Sequence, residues 1–249
     1  MAVLTSGIYT KAKLTYTKDR LVAISGIAKR FQKRTKDEWI AGLWKSDFLI
    51  QICWHVDRIA GPYPRRPLRY QAPSWSWTSV EGSAIKILTR LADCSYHFYS
   101  HMKDVQVVTT GADAFGEVCH GNLQLQRGPM LRGTIMSLKS QIELNSIGAH
   151  NIIILKDEAE KPDTLLYLTV IFKEVTSRNQ SFLIGLVLKS SNSEIGQFQR
   201  VGKLKVEPGA IEAFKSAREA PEYTVPESFY AGNAGTDEDG QTQYIIDLI

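Results

Sequence analysis

The hydrophobic positions of this chain change their period along its length. In "KDRLVAISGIAKRFQKR", Ile24, Ile27, Ala28 and Phe31 follow Leu21 by three, six, seven and ten residues. That spacing is one stripe of a helix. Thr17 or Asp19 is placed to cap its start, and Lys33 and Arg34 suit the negative C-terminal end of its dipole. The stretch "DEWIAGLWKSDFLIQICWHV" predicts a second helix, with Trp39, Leu43, Ile50 and Trp54 near one face and Trp44 and Phe48 beside it. Four prolines between residues 62 and 73 then exclude helix and central strand. Residues 61–73 read as a stiff, extended connection. It leads into "SWSWTSV", where a strand would put Trp75 and Trp77 on one face and Ser74, Ser76 and Thr78 on the other.

From residue 84 onward the pattern is that of strands. "AIKILTRL", "KDVQVVTT", "NLQLQRG", "PMLRGTIMSL", "NIIILKD", "TLLYLTVIF", "FLIGLVLKS" and "FQRVGKLKV" are short runs rich in Val, Ile, Leu and Thr. Most are separated by Gly, Asn, Asp or Pro. "VEPGAIEAFKSARE" reads as one short amphipathic helix, "NAGTDEDGQTQ" as a loop and "YIIDLI" as a final strand. The expected fold class is α+β: a mainly antiparallel sheet, as a partly closed barrel or sandwich, with N-terminal helices packed on it. The whole of 1–249 reads as one domain, made of a helical segment (1–60), the Pro-rich connection (61–73) and a β-rich body (74–249).

Composition narrows the function classes. A formal charge of +4, with one local cluster at Arg65, Arg66 and Arg69, gives no basic stripe, so no nucleic-acid partner is expected. Cys53, Cys94 and Cys119 are odd in number and widely spaced. They form neither a disulfide framework nor a zinc motif. No signal-peptide core is visible, and the longest apolar runs, "NIIIL" and "FLIGLVL", are strand-sized, so a cytoplasmic protein without a membrane span is expected.

Motif chemistry is sparse. His97 and His101, four apart, would need Asp93 or Asp104 as a third metal ligand, and no metal is expected. G-x-S-x-G and both glycine-rich phosphate loops are absent, so no nucleotide cofactor is expected, and none of another kind. Cys53 near His55 is a sequence neighbour pair, which says nothing about facing. "TDEDG" reads as a solvated loop rather than a calcium site. What remains is aromatic: Trp44, Trp54, Trp75 and Trp77 are candidates to line an apolar small-molecule pocket, with Arg69, Tyr70, His55 and Asp47 as the nearby polar candidates.

Five segments together resemble the C-terminal half of fungal heterokaryon-incompatibility (HET) domain proteins. They are "DRLVAISGIAKRFQ", "AGLWKSDFLIQICW", "YQAPSWSWTSVEG", "AFGEVCHGNLQLQRG" and "FLIGLVLKSSNSEIGQFQRVGKLKV". The combination of Gly-Leu-Trp, Ala-Pro-Ser-Trp-Ser-Trp and Arg-Val-Gly carries the resemblance. It implies a fungal origin and a shared β-rich scaffold, and it supplies no catalytic residues. In such proteins the Toll/interleukin-receptor-like effector module precedes these motifs, and no counterpart of it stands in this sequence. Two functions follow as expectations. One is a cofactor-independent cyclase or pericyclase of the Diels–Alder type, acting on an apolar terpenoid or polyketide substrate. Such chemistry asks mainly for near-attack folding of the substrate and one polarising hydrogen bond. The alternative is a non-enzymatic regulatory or interaction domain. The sequence leaves the oligomeric state open.

Overall fold

A computed structural model describes residues 19–57, 64–81, 84–134, 152–157, 164–191 and 194–249. Helix α1 (Arg20–Thr35) forms where the stripe predicts it, and Leu21, Ile24 and Ala28 are buried. Ile27 is the correction within that stripe: it is 66% exposed. Asp19 stands at the helix start but makes no side-chain capping bond, and Thr17 lies outside the described residues. Lys36 closes the helix in a left-handed conformation, its N–H donating to Gln32 O.

The second predicted helix is replaced by a tight hairpin and a single turn. β1 (Trp39–Ile40) pairs antiparallel with β2 (Leu43–Trp44), matching Trp39 to Trp44 and Ile40 to Leu43. The cause is Ala41-Gly42, with φ of 44° and 99°. Two successive positive φ values make the turn that suits a two-residue hairpin, and glycine takes the second at no steric cost. A 3-10 turn (Lys45–Asp47) and the one-turn helix α2 (Phe48–Gln51) follow, then β3 (His55–Asp57), which pairs with β4 (Ala84–Lys86). Of the described residues of the 1–60 segment, only part is therefore helical.

Ten strands form the main sheet. β5 (Ser95–Phe98), β6 (Ser100–Thr109), β7 (Val118–Arg127), β8 (Leu131–Thr134), β9 (Ile152–Lys156), β10 (Leu165–Val175), β11 (Ser181–Ser190), β12 (Gln197–Val206), β13 (Gly232–Thr236) and β14 (Thr242–Leu248) all join it. Its main path runs β5-β10-β11-β12-β14-β7-β6, with β8 on β10, β9 on β12 and β13 on β14. Every pairing is antiparallel except β12 with β14, which meet at two residue pairs only. The α+β expectation holds, as a large mainly antiparallel sheet that is not closed into a barrel. "NAGTDEDGQTQ", read as a loop, is instead the end of the β13–β14 hairpin. The downstream part of "PMLRGTIMSL", from residue 135, lies outside the described residues.

Two apolar layers cover the sheet. Register aligns inward rows across β6, β7 and β14: Met102–Leu125–Ile246 and Val105–Leu123–Leu248. These meet the N-terminal tryptophans, Tyr167, Ile171, Phe172, Leu186 and Phe198 in one large core. On the opposite face, Leu166, Leu168, Val170, Val187, Val201, Leu204 and Val206 pack against helix α3 (Ile211–Glu219) through Ile211, Phe214 and Ala217. Central strands buried on both faces read as unbroken hydrophobic runs, which is why "TLLYLTVIF" and "FLIGLVL" do not alternate. Among the described residues no helix is long and apolar enough to cross a membrane.

Candidate functional site

The predicted motifs meet at one buried junction, and the residue joining them is Arg200. Its guanidinium donates to Ile52 O at 3.0 Å, to Trp54 O and to Asp157 Oδ2, and it lies 3.5 Å from the Trp54 ring centroid. Its backbone N–H donates to Ser74 Oγ at 2.9 Å. Arg66 reaches the same place, giving Nη2 to Arg200 O and to Asp157 Oδ2 (3.4 Å), and Nη1 to Ser79 Oγ (3.0 Å). Arg200 and Asp157 are both fully buried. Burial holds the Arg200 guanidinium below its usual range, while Asp157 opposes that shift. A buried cation kept charged in this way needs its carboxylate and its carbonyls together.

The hairpin turn fixes the other side of the junction. Trp77 Nε1 donates to Gly42 O at 2.8 Å, and Ser76 Oγ donates to Ala41 O at 2.7 Å. Trp54 Nε1 donates to Trp75 O at 2.8 Å. The "SWSW" segment is therefore no strand: Trp77–Ser79 form a 3-10 turn, with Ser76 accepting from Thr78 N. Trp75, Trp77, Ser74, Ser76 and Thr78 are all buried. A turn bonded to Ala41, Gly42 and Arg200 encloses all of these side chains without the alternation of a strand.

The eight predicted site residues divide sharply. Trp54, Trp75 and Trp77 have no exposed surface and Trp44 is 7% exposed; all four belong to the main core. Phe48 packs edge-on to Trp75 at 5.6 Å, and Phe31 and Trp39 each lie 4.7 Å from Trp44. Asp47 pairs with Arg90 at 2.7 Å. Arg69 is exposed, and Tyr70 is 53% exposed. His55 sits on β3 at the margin of the junction, and its Nδ1 is buried without a partner among the described residues. No hydrogen bond or ion pair joins any two of Asp47, His55, Arg69 and Tyr70 among the described residues.

The titratable groups around His55 are held in their neutral forms or pushed toward them. Burial, reinforced by Lys203, Lys86 and Arg200, lowers His55 to about 3. Burial raises the Cys53 thiol to about 12 and lowers Lys203 to about 8. A thiol held that high is a poor nucleophile at neutral pH. His97 and His101 fall on β5 and β6, and among the described residues no group of three His, Cys, Asp or Glu side chains is placed to hold a metal. The carboxylate of Asp237 accepts from Asp239 N, Gln241 N and Gln243 Nε2, so it organises the β13–β14 turn.

A surface feature that sequence reasoning missed lies elsewhere. Ser190, Glu194, Ile195, Gly196, Phe198, Ser228 and Phe229 line an open groove of about 460 Å³. Phe198 forms its floor and packs on Tyr167 at 5.1 Å. Ile195 and Phe229 stand on its walls, 72% and 41% exposed. The available signal was modest: each is an apolar residue set among turn-forming polar ones, in "SNSEIGQ" and "PESFYAG".

No family model matches the chain, and neither a curated protein nor a solved structure matches it.

Proposed function

We propose that this protein acts by binding, as a non-catalytic regulatory or interaction domain that takes an apolar segment of a protein partner into the Ile195–Phe229 groove. The observation that supports this reading most directly is how the tryptophans are used. They fill a packed core together with Arg200, while two exposed large apolar side chains, Ile195 and Phe229, stand on an open groove whose polar members are two serines and Glu194. Exposed apolar walls around an open depression are characteristic of docking surfaces. The resemblance to the C-terminal region of HET proteins fits the same reading. Its motif residues Trp54, Trp75, Trp77 and Arg200 serve one structural junction, so such a signature marks a scaffold. Three unpaired cysteines and the lack of a basic stripe fit a cytoplasmic setting and a protein partner rather than a nucleic acid.

The cycloaddition reading draws less support. It calls for an enclosed chamber lined by Trp44, Trp75 or Trp77, and among the described residues these side chains line the core. A photoreactive amino acid at position 195 separates the readings. The expected outcome is cross-linking to one protein, competed by excess unlabelled chain, weakened by Phe229→Asp and missing when the probe is moved to Leu165. Conversion of a host metabolite to an isomer of equal mass by the purified protein, with no protein captured, would reverse the choice.

A further inference from the structure

The inner face of the sheet ends on a charge. Arg127 is the last residue of β7, opposite Ser100 on β6 and Tyr244 on β14. It continues the inward row above Leu125 and Leu123 and is 2% exposed. Its Nη2 donates to Pro129 O at 2.8 Å. Nε and Nη1 are buried and have no hydrogen-bond partner among the described residues, and the group forms no ion pair there.

A second orphaned donor lies on the same face. Thr169 is fully buried on β10 between Tyr167 and Ile171, which both point into the main core, and its Oγ1 has no partner among the described residues. Ser100 links the two positions: it faces Arg127 and gives its hydroxyl to Val170 O, beside Thr169, at 3.0 Å. Among the described residues, the nearby permanently charged group that bears on Arg127 is a second cation. Arg218 of α3 comes close to the neighbouring Gly128, where a Cβ would lie 2.9 Å from its Nη2. Burial lowers the Arg127 guanidinium to about 9; Tyr230 opposes the shift and Arg218 adds to it.

Buried charges in proteins are almost always paired, because an isolated ion in an apolar interior loses its hydration with no compensation. Among the described residues Arg127 has carbonyl contact but no counter-charge. We infer that Arg127 and the Thr169 hydroxyl together hold one small monovalent anion, of the chloride class, at the end of the main core. A monovalent ion costs far less to dehydrate than sulfate or phosphate, so donors withdrawn from solvent favour the chloride class.

The full chain, refolded from urea into chloride, gluconate or sulfate at one ionic strength, provides the test. Stability is expected to be higher in chloride than in gluconate, whereas sulfate, which stabilises any fold by exclusion from its surface, should give a gain that Arg127→Met leaves unchanged. The folding equilibrium constant should grow as one plus the ratio of free chloride to its dissociation constant, so chloride at nine times that constant multiplies it about tenfold. Arg127→Met should abolish the chloride dependence. Thr169→Val, which removes only a hydroxyl, should weaken it, and this variant keeps the test open if Arg127→Met does not fold. Crystals grown with bromide should show an anomalous peak within hydrogen-bond distance of Arg127 Nε or Nη1. Equal urea midpoints in chloride and gluconate, or a chloride gain that Arg127→Met and Thr169→Val both retain in full, overturn the inference, as does bromide-grown crystal density without such a peak.

Discussion

At the scale of single residues, Arg200 decides whether the N-terminal segments stay attached to the sheet. Its side chain ties Ile52, Trp54 and Asp157, and its backbone ties Ser74. Removing one member of a buried ion pair strands the other, a loss of about 3–5 kcal/mol. Asp157→Asn, which strands the fully buried Arg200, is expected to fall in that range by urea denaturation, and Arg200→Met to cost less, since Arg66 still reaches Asp157 Oδ2. The double variant should lose clearly less than the sum of the two, since neither partner is then left charged and alone. Strict additivity would show that the pair is not coupled. His55 gives a second residue-level prediction. Its pKa drops from about 6.5 unfolded to about 3 folded. Between those values the unfolded chain binds the extra proton, so stability is full above the upper value and falls as pH drops through the window. The limiting slope is about 1.4 kcal/mol per pH unit. His55→Gln should flatten the urea midpoint between pH 4 and 6.5; an unchanged slope would assign the acid sensitivity to other groups. Very little of this was legible beforehand. Tryptophans in "SWSW" announce burial, but an arginine in "FQRVGKL" reads like any solvated one until Asp157, a distant residue, closes over it.

At the scale of elements, what the sequence hides is the point where a local backbone choice overrides periodicity. Trp39, Leu43, Ile50 and Trp54 fit a helical stripe, yet Ala41-Gly42 breaks it with two positive φ values. The same apolar residues are then buried by a hairpin and a single turn. Burial was readable there and geometry was not, because a pattern of apolar residues fixes which side chains go inside more firmly than it fixes the path between them. The long strands were readable, since β10, β11 and β12 carry β-branched and aromatic runs too short for a second helix layer. Gly42 is the sensitive position. A Cβ there would lie 2.6 Å from Trp77 Nε1, on a backbone with φ of 99°. Gly42→Ala therefore combines left-handed strain of about 1–3 kcal/mol with displacement of the Trp77 indole from Gly42 O. The expected result is a lower melting temperature together with a changed near-ultraviolet circular dichroism band. A stable variant with an unaltered band would mean that the hairpin absorbs the methyl group by shifting as a unit.

At the scale of the whole molecule, the sheet has one core on each face, and the two could in principle melt separately. The physical argument favours a single transition. β10, β11 and β12 contribute alternate residues to both cores, so neither layer can lose its strands without exposing the other. All five tryptophans report on one side only, since Trp39, Trp44, Trp54, Trp75 and Trp77 lie in the core opposite α3. That asymmetry makes a clean experiment. Phe214 is 1% exposed on the tryptophan-free side, between α3 and the sheet. Phe214→Ala leaves a cavity there and should cost about 3–5 kcal/mol. If 1–249 is one cooperative domain, tryptophan fluorescence must register the whole of that loss, with its midpoint shifted equally to that of far-ultraviolet circular dichroism. A fluorescence midpoint that stays in place while the circular dichroism curve moves earlier would divide the molecule into two units. The groove, whose floor, Phe198, is part of the tryptophan core, would then stay with the unit that remains folded, and binding there would be coupled to that layer alone.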